Sequence, residues 1–262
     1  MLEKIEIITR IQDDELYARM KKSAEEEAFG PVSFSSEKDK DGLPHLADTY
    51  NRLGGRSDVD FIVFCHDDAV FMEPGWNEKL IDEFKETGAD ILGVVGTDKY
   101  IGGNIFLSGN PNCFGKYATL RQDGKNYVQI ASPSRKNKRL QVVDGLFLAV
   151  RGDHFKSVKF DESFDELWFY AEDFCLRSNV FLSDILMGHW KPPRLYGKYP
   201  DALKPQSDYA ERFYTRYGIA PPEEGAWRPK TKCAETPIED FRRFGQDFIF
   251  EKFAQSKGLV HA

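Results

Sequence analysis

The sequence predicts an α/β protein with a mostly parallel central sheet flanked by helices, and two observations support this class. Between residues 5 and 95, strand-like and helix-like segments alternate, and such alternation favours a parallel sheet with helices on both faces. Within this region, Asp60–Cys65 is a nearly continuous apolar run, which is typical of a strand buried on both faces. A chain of 262 residues is long enough for one sizeable domain of this class or for two small ones.

The elements of the first half follow from local patterns. Ile5–Ile11 predicts a strand, and a helix then begins at the acidic residues 13–15, which favour the positive end of a helix. That helix is expected to run through Ala28. The further predicted elements are a strand at 32–35, a polar loop from Glu37, a helix holding Leu46, Tyr50 and Leu53, the strand at 60–65, a helix from Trp76 closed by Gly88, and a strand at 91–95.

The second half is less regular. Residues 96–140 are rich in Gly, Asn and Ser and lack periodicity, so we predict a long loop, which in compact domains is often functional. The elements predicted after it are a strand at 141–150, an aromatic-rich helix at 168–177, a strand at 185–187 that ends before Gly188-His189-Trp190, and a helix at 209–217.

The C-terminal part is predicted to be an extension of the main domain. We expect one domain over residues 1–220 and, over 221–262, a Pro-marked linker followed by a helix at about 237–256. Its Phe residues lie on one stripe, which favours core packing; a dimer contact or a membrane-surface contact are the alternatives. The stripe consists of Phe241, Phe244, Phe248 and Phe253.

Charge and cysteine content exclude several classes. The net charge is −7, whereas a nucleic-acid-binding protein usually has a basic balance, so no nucleic-acid partner is expected. The one dense basic run, at 135–139, is interpreted as a solvated loop or a contact for a phosphate or an anionic acceptor. The four widely spaced cysteines form no Cys-x-x-Cys pair and indicate a reduced, cytoplasmic protein. No signal peptide or membrane-spanning run is visible, so any membrane contact would be peripheral.

A first acidic pair follows the best-defined strand, in the segment His66-Asp67-Asp68. Ligands of open parallel sheets bind at the carboxyl ends of strands, and two adjacent carboxylates are costly unless a positive group joins them. Mg²⁺ or Mn²⁺ held by carboxylates and substrate phosphates would suit this site. His189 follows another predicted strand and could contribute to it. The alternatives are a helix cap or surface turn for the acids and a structural role for the histidine.

A second acidic pair, Glu172-Asp173, lies on the predicted aromatic-rich helix. Arg177 follows Asp173 at a spacing that allows a helical ion pair, and this is one interpretation. The other is a general base that takes a proton from an acceptor hydroxyl. The preceding aromatic residues could stack on a sugar ring or belong to the core. They are Trp168, Phe169 and Tyr170.

These motifs, in this order, resemble the family 2-like glycosyltransferases of GT-A fold, a Rossmann-like α/β fold. The resemblance covers roughly residues 45–220. His66 stands where many members carry the first Asp of an Asp-x-Asp motif. The segments that carry the resemblance are Tyr50-Asn51, 64–68, Pro74-Gly75-Trp76, 143–151, Phe160-Asp161-Glu162, 169–177 and 212–218.

The resemblance implies a catalytic site in two parts. Asp68, with or without Asp67, would hold Mg²⁺ or Mn²⁺ on the donor diphosphate, and His189 matches a position that completes the metal shell. Asp173, or alternatively Glu172, would deprotonate the acceptor hydroxyl, which implies inversion at the anomeric carbon. The residues expected to contact the donor or the acceptor are His66, Asp67, Asp144, Gly145, Trp168 and Arg177.

The resemblance therefore implies an enzyme that moves a sugar from a nucleotide-sugar donor to a glycan, lipid-linked or protein acceptor. A nucleotidyltransferase acting on a sugar phosphate is an alternative, since it shares a similar sheet and acidic metal site, as is a non-catalytic sugar-binding protein. A homo-oligomer is possible on the sequence. The donor sugar and the acceptor are left open.

Overall fold

The computed structural model describes residues 3–38, 45–102, 105–108, 112–121, 127–132, 137–164, 169–191, 207–219 and 232–235. Its helices are α1 (Asp14–Glu27), α2 (Leu46–Gly54), α3 (Trp76–Thr87), α4 (Gly152–Ser157), α5 (Tyr170–Leu176) and α6 (Ser207–Tyr217). Its strands are β1 (Ile5–Ile11), β2 (Ser33–Lys38), β3 (Phe61–Cys65), β4 (Ala69–Phe71), β5 (Ile91–Gly93), β6 (Val95–Thr97), β7 (Cys113–Arg121), β8 (Tyr127–Ser132), β9 (Arg139–Leu140), β10 (Val142–Val143), β11 (Phe147–Arg151), β12 (Val180–Leu182), β13 (Met187–Lys191) and β14 (Lys232–Glu235).

The central sheet has seven strands in the order β2-β1-β3-β11-β5-β12-β9. β2, β1 and β3 pair in parallel, and β3 and β5 both run antiparallel to β11, so they share one direction. β12 is parallel to β5. The mostly parallel α/β sheet predicted from the sequence is therefore confirmed, with the inserted strand β11 and the edge strand β9 running in the opposite direction.

A second sheet, with the order β10-β6-β7-β13-β4, adjoins the central sheet, and a Cβ atom on Gly93 of β5 would lie 2.5 Å from Val143 of β10. β8 pairs with β7, and β14 pairs with β8. The prediction of one long loop over 96–140 was wrong where β6 to β9 lie. These strands are short or antiparallel, and they lie in a region rich in Gly, Asn and Ser that lacks the alternation that would have marked them.

Two apolar runs that read as single strands are in fact divided between the two sheets. The run 91–95 forms β5 in the central sheet and β6 in the second sheet, with Val94 between them. The run 141–150 likewise splits into β10 and β11 around Asp144-Gly145. Because the residues on both sides of each switch are buried, apolarity alone does not reveal where the chain changes sheets.

Smaller corrections concern element boundaries. β2 extends to Lys38, so the loop predicted from Glu37 begins later. The strand predicted at 185–187 begins only at Met187 and runs to Lys191, which places His189 inside β13. The predicted helix at 209–217 is confirmed as α6, and a helix is found within the predicted range 168–177, where α5 begins at Tyr170 and ends at Leu176.

Local chemistry explains the helices that flank the sheet. Asp13 caps α1, because its Oδ1 accepts the backbone N–H groups of Glu15 at 2.9 Å and Leu16 at 3.2 Å. The buried face of α1 consists of Leu16, Met20 and Ala24, which repeat at helical spacing. α3 ends at Gly88, which has the left-handed backbone that favours glycine (φ +62°).

Only a small part of the predicted C-terminal extension falls on residues that the structure describes, namely 232–235. The helix expected at 237–256 lies outside them, and the boundary at residue 220 stays a prediction. Beyond that boundary, β14 adds a strand to the second sheet. Within the described residues, no helix has the length and apolar character needed to cross a bilayer.

Gly115 provides a test of the packing between the strands. A Cβ atom there would lie 2.1 Å from the carbonyl oxygen of Val94, whereas one at Gly88 would meet nothing within 4 Å, although both residues have positive φ. We expect Gly88→Ala to cost about 1 kcal/mol of the free energy of unfolding and Gly115→Ala to cost about 2 kcal/mol more. Urea denaturation measures both, and equal costs would contradict the close approach.

Candidate active site

The first acidic segment lies where the chain leaves the central sheet for the second one. His66, Asp67 and Asp68 occupy the connection between β3 and β4. β4 pairs with β13 so that Ala69 lies opposite His189. The backbone N–H of Trp190 donates to the Asp68 carbonyl at 2.7 Å, and this pairing places the side chain of His189 beside that of Asp68.

Asp68 and the two histidines form a compact cluster. His189 Nε2 lies 3.0 Å from Asp68 Oδ2, and His66 Nδ1 lies 3.8 Å from Asp68 Oδ1. One ligand atom from each of the three residues lies within 4.8 Å of the others, and no other such group of three or more occurs among the described residues. Two imidazoles and one carboxylate are ligands that divalent metals accept, so the residues present fit a metal ion.

Asp67 contacts the turn between β1 and α1. It is buried, and its Oδ2 accepts the backbone N–H groups of Gln12 at 2.7 Å and Asp13 at 2.9 Å. Burial raises the pKa of Asp67 to about 6, although these two N–H groups act in the opposite direction. Asp67 therefore holds the turn between β1 and α1 against the end of β3, and its contact with a donor stays a prediction.

The turn Asp144-Gly145 brings a third segment to the same place. The Asp144 N–H donates to Val95 O, and Asp144 Oδ1 accepts the N–H of Leu146, both at 2.9 Å. A Cβ atom on Gly145 would lie 2.2 Å from the hydroxyl of Tyr170 and 3.5 Å from His66 Nε2. Because Tyr170 is itself buried, glycine is the residue that fits between the end of β3 and the start of α5.

α5 starts from a strained residue. Phe169, which precedes it, has φ +71° and is buried, and a left-handed aromatic residue costs on the order of 1–3 kcal/mol. Its ring stacks on Phe213 of α6, with centroids 4.5 Å apart. This packing fixes the first turn of α5, where the Tyr170 hydroxyl lies 3.4 Å from His66 Nε2.

Glu172, in the same turn, is partly exposed and interacts electrostatically with Asp144. Burial raises the pKa of Glu172 to about 7. The negative charges of Asp144 and Asp173 act in the same direction, while the backbone N–H groups of Glu172 and Phe169 oppose them. A carboxyl group with a pKa near 7 can exchange a proton at physiological pH.

Asp173 has entirely different surroundings. It is fully buried, and its Oδ2 accepts two hydrogen bonds from Arg177, at 2.9 and 2.7 Å. Its Oδ1 accepts one from Arg216 at 3.0 Å and one from the Tyr217 hydroxyl at 2.6 Å. Four donors fill the acceptor sites of one carboxylate, so Asp173 joins α5 to α6.

The structure thus brings together six of the predicted site residues and separates two from them. Asp173 and Arg177 form the ion pair that the helical spacing allowed, on the side of α5 that contacts α6. Trp168 lies outside the described residues. The residues that lie around the end of β3 and the first turn of α5 are His66, Asp68, Asp144, Gly145, Glu172 and His189, with Asp67 behind them.

Some functional neighbours were missed. No sequence signal links Tyr170 to His66, since 104 positions separate them. Arg216 and Tyr217 follow Asp173 by 43 and 44 positions, and only their place on a predicted helix was visible. The requirement for glycine at position 145 could not be predicted from the sequence either, because it arises from the nearby hydroxyl of Tyr170.

Comparison with solved structures shows the fold. The S. aureus TarS 1–349 structure in complex with UDP-GlcNAc matches with a TM-score of 0.52 and 10% identity, covering 96% of this chain and 75% of that one. GalNAc-T7 with UDP, GalNAc and Mn²⁺ matches with a TM-score of 0.50 and 12% identity, covering 97% and 57%. The predicted GT-A fold is confirmed. None of the curated proteins matches this chain.

A family model places the chain more closely. The model described as "Glycosyltransferase like family" matches residues 6–217, which is most of the chain and includes every element around the end of β3. The resemblance inferred from the motifs is confirmed: this chain belongs to the glycosyltransferase-like family.

Proposed function

We propose that this protein transfers a sugar from a nucleotide-diphosphate sugar to an acceptor hydroxyl, with inversion and with the help of a divalent metal. The observation that carries the proposal is the meeting of two groups at one edge of the sheet. One group is the His66–Asp68–His189 cluster, and the other is Glu172 beside Asp144. They are the two parts that glycosyl transfer requires, a site for the diphosphate and a base for the acceptor.

On the donor side, Asp68 and His189 would hold the metal. A bound divalent ion supplies positive charge to the leaving diphosphate. Asp67 keeps the turn after β1 in place through two backbone N–H groups, and Gly145 leaves the space in front of Tyr170 open. These residues shape the donor site without having to take part in bond making.

On the acceptor side, Glu172 is the better candidate for the base. It is partly exposed beside Asp144, and its raised pKa suits proton transfer near neutral pH. Asp173 would first have to break hydrogen bonds to Arg177, Arg216 and Tyr217. We therefore assign the base to Glu172 and a structural role to Asp173, which reverses the order of preference inferred from the sequence.

The proposed step is a single displacement at the anomeric carbon of the donor sugar. The acceptor oxygen gives its proton to Glu172 and forms a bond to the anomeric carbon. The bond from that carbon to the donor diphosphate breaks, and the nucleoside diphosphate leaves with the electron pair. Attack from the face opposite the leaving group inverts the configuration.

The related structures support the choice of donor class, because TarS was solved with UDP-GlcNAc and GalNAc-T7 with UDP, GalNAc and Mn²⁺. Family membership favours glycosyl transfer over nucleotidyl transfer and over non-catalytic sugar binding. A glycan, a lipid-linked glycan and a protein are the acceptor classes we propose to screen. A cytoplasmic location and a homo-oligomer stay predictions of the sequence.

Removing the proposed base tests the function directly. We expect Glu172→Gln to lower turnover by roughly 10²- to 10⁴-fold, because the acceptor would keep its proton, while the affinity for the donor stays within a few-fold. Release of nucleoside diphosphate from a panel of UDP- and GDP-sugars, with Mn²⁺ and each acceptor class, measures the effect. Glu78→Gln, at an exposed position on α3, is the matched control. Equal turnover of wild type and Glu172→Gln would refute the assignment.

Asp173→Asn separates the two neighbouring acids. We expect it to lower the free energy of unfolding by roughly 1.5–3 kcal/mol, since hydrogen bonds to a charged group are lost in a buried position. Its turnover, measured at a temperature where it is folded, should stay well above that of Glu172→Gln. Urea denaturation and the same diphosphate assay decide the matter. A variant as stable as wild type but inactive would return the base to Asp173.

The pH dependence tests the contact between Glu172 and Asp144. A base must be deprotonated to act, so kcat/KM should be low in acid and rise as pH increases through about 7, the pKa of Glu172. In Asp144→Asn, the loss of a negative neighbour lowers that pKa, and the rise should move to lower pH, whatever happens to the maximal rate. Asp58→Asn, an exposed acid paired with Lys156, should leave the midpoint in place. An unmoved midpoint in Asp144→Asn would contradict the proposed neighbourhood.

A further inference from the structure

The cluster at the end of β3 contains two nitrogen ligands and one carboxylate. Mg²⁺ prefers oxygen ligands and keeps much of its water, whereas imidazole suits first-row transition metals. Affinity for such mixed sites rises along the series from Mn²⁺ to Co²⁺ and beyond. The identity of residue 66 therefore decides which metals the site prefers, because His66 adds a second imidazole to the imidazole of His189 and the carboxylate of Asp68.

The orientation of His66 is suited to a metal ligand. Its Nδ1 is directed to the Asp68 carboxylate, 3.8 Å from Oδ1, while its Nε2 lies 3.4 Å from the Tyr170 hydroxyl. A histidine that binds a metal through one nitrogen usually engages the other in a hydrogen bond that fixes its tautomer and ring orientation. The Tyr170 hydroxyl can accept a hydrogen bond from Nε2–H, which leaves the lone pair of Nδ1 on the side of Asp68 and His189.

Tyr170 is well held for this purpose. It is buried, and its ring packs at centroid distances of 6.0 Å from Tyr50 and 5.9 Å from Phe160. The absence of a side chain at Gly145 allows its hydroxyl to reach His66, since a Cβ there would lie 2.2 Å from that oxygen. The strained backbone of Phe169 fixes the start of α5 directly before it.

We propose that His66 is the third protein ligand of this metal site, that the two-histidine, one-aspartate set prefers a nitrogen-binding transition metal over Mg²⁺, and that Tyr170 is the residue that positions His66. The inference rests on the proposed function in one respect, the presence of a metal at Asp68 and His189. It concerns metal choice and can be tested in the absence of any nucleotide sugar.

Metal binding to the full-length chain provides the test. Free Mn²⁺ is followed by electron paramagnetic resonance as wild-type protein is added, and Co²⁺ and Mg²⁺ then compete for the bound Mn²⁺. We expect Co²⁺ to displace half of the bound Mn²⁺ at a concentration below that of Mn²⁺. Mg²⁺ should need at least about a tenfold excess over Mn²⁺ for the same effect. The visible absorption of bound Co²⁺ reports on its nitrogen ligands. Equal competition by Mg²⁺ and Co²⁺, or no Mn²⁺ binding at all, would overturn the inference.

Two substitutions at residue 66 make the test specific. His66→Ala should weaken Mn²⁺ binding by about tenfold or more while changing Mg²⁺ binding much less. His66→Asp keeps a ligand but replaces nitrogen by oxygen, and it should shift the preference towards Mg²⁺. His154→Ala is the matched control, because His154 also lies beside a carboxylate, that of Asp90, away from the cluster. If His66→Ala and His66→Asp both bind metals as wild type does, His66 is not a ligand.

Tyr170→Phe tests the positioning role. Loss of its hydroxyl should weaken Mn²⁺ binding by roughly 10-fold, the lower end of the effect of such hydrogen-bonded partners, and should alter the Co²⁺ absorption spectrum. Tyr17→Phe removes a tyrosine hydroxyl from a half-buried position on α1 and should leave both readouts unchanged. Thermal unfolding without metal identifies any variant that fails to fold. An unchanged spectrum and affinity in folded Tyr170→Phe would overturn this part of the inference.

The outcomes also distinguish this inference from the proposed function. Metal binding that is lost in Asp68→Asn but intact in His66→Ala refutes the inference and leaves glycosyl transfer standing. Metal binding that depends on His66, in a protein that turns over no nucleotide sugar, supports the inference and counts against the proposed function.

Discussion

The candidate site depends on the close approach of backbones where the two sheets meet. Five times among the described residues, the chain passes from one sheet to the other across four residues or fewer: between β3 and β4, β5 and β6, β9 and β10, β10 and β11, and β12 and β13. The strands are so near each other that a Cβ atom on Gly93, Gly96 or Gly115 would lie 2.5, 2.3 or 2.1 Å from a neighbouring atom. His66–Asp68 and Asp144-Gly145 are two of these connections, so the packing that joins the sheets also brings the site residues together.

This arrangement explains which parts of the fold could be predicted. β3, α1 and α3 carry strong local signals, namely an uninterrupted apolar run, an acidic cap and a glycine stop, and the structure has all three. The second sheet has no such signals. Its strands pair with partners far along the chain, as β7 does with β13, and the switch at Val94 is buried on both sides. Its existence is a property of long-range pairing, which a single sequence does not display.

The site shows the same division between local and distant information. The sequence placed Asp68 and His189 together on the expectation that strands of a parallel sheet end at one edge. Their 3.0 Å contact exists for another reason, because β4 pairs antiparallel with β13 in the second sheet and His189 lies inside β13. The sequence could not distinguish Glu172 from Asp173. Adjacent residues of a helix project in directions about 100° apart, so one faces Asp144 while the other faces α6. The partners that decide the matter, Arg216 and Tyr217, are remote in sequence.

The two adjacent acids therefore have complementary tasks that follow from their surroundings. Asp173 accepts charged hydrogen bonds from two arginines, and this holds α6 against α5 and so supports the stacking of Phe213 on Phe169. That stacking maintains the strained start of α5, which in turn fixes the direction of Tyr170 and Glu172. Both arginines are engaged by Asp173, while the pKa of Glu172 is raised by burial and by the negative charges of Asp144 and Asp173. On the proposed assignment, the hydrogen-bonded Asp173 thus holds in place the helix on which Glu172 acts as the base.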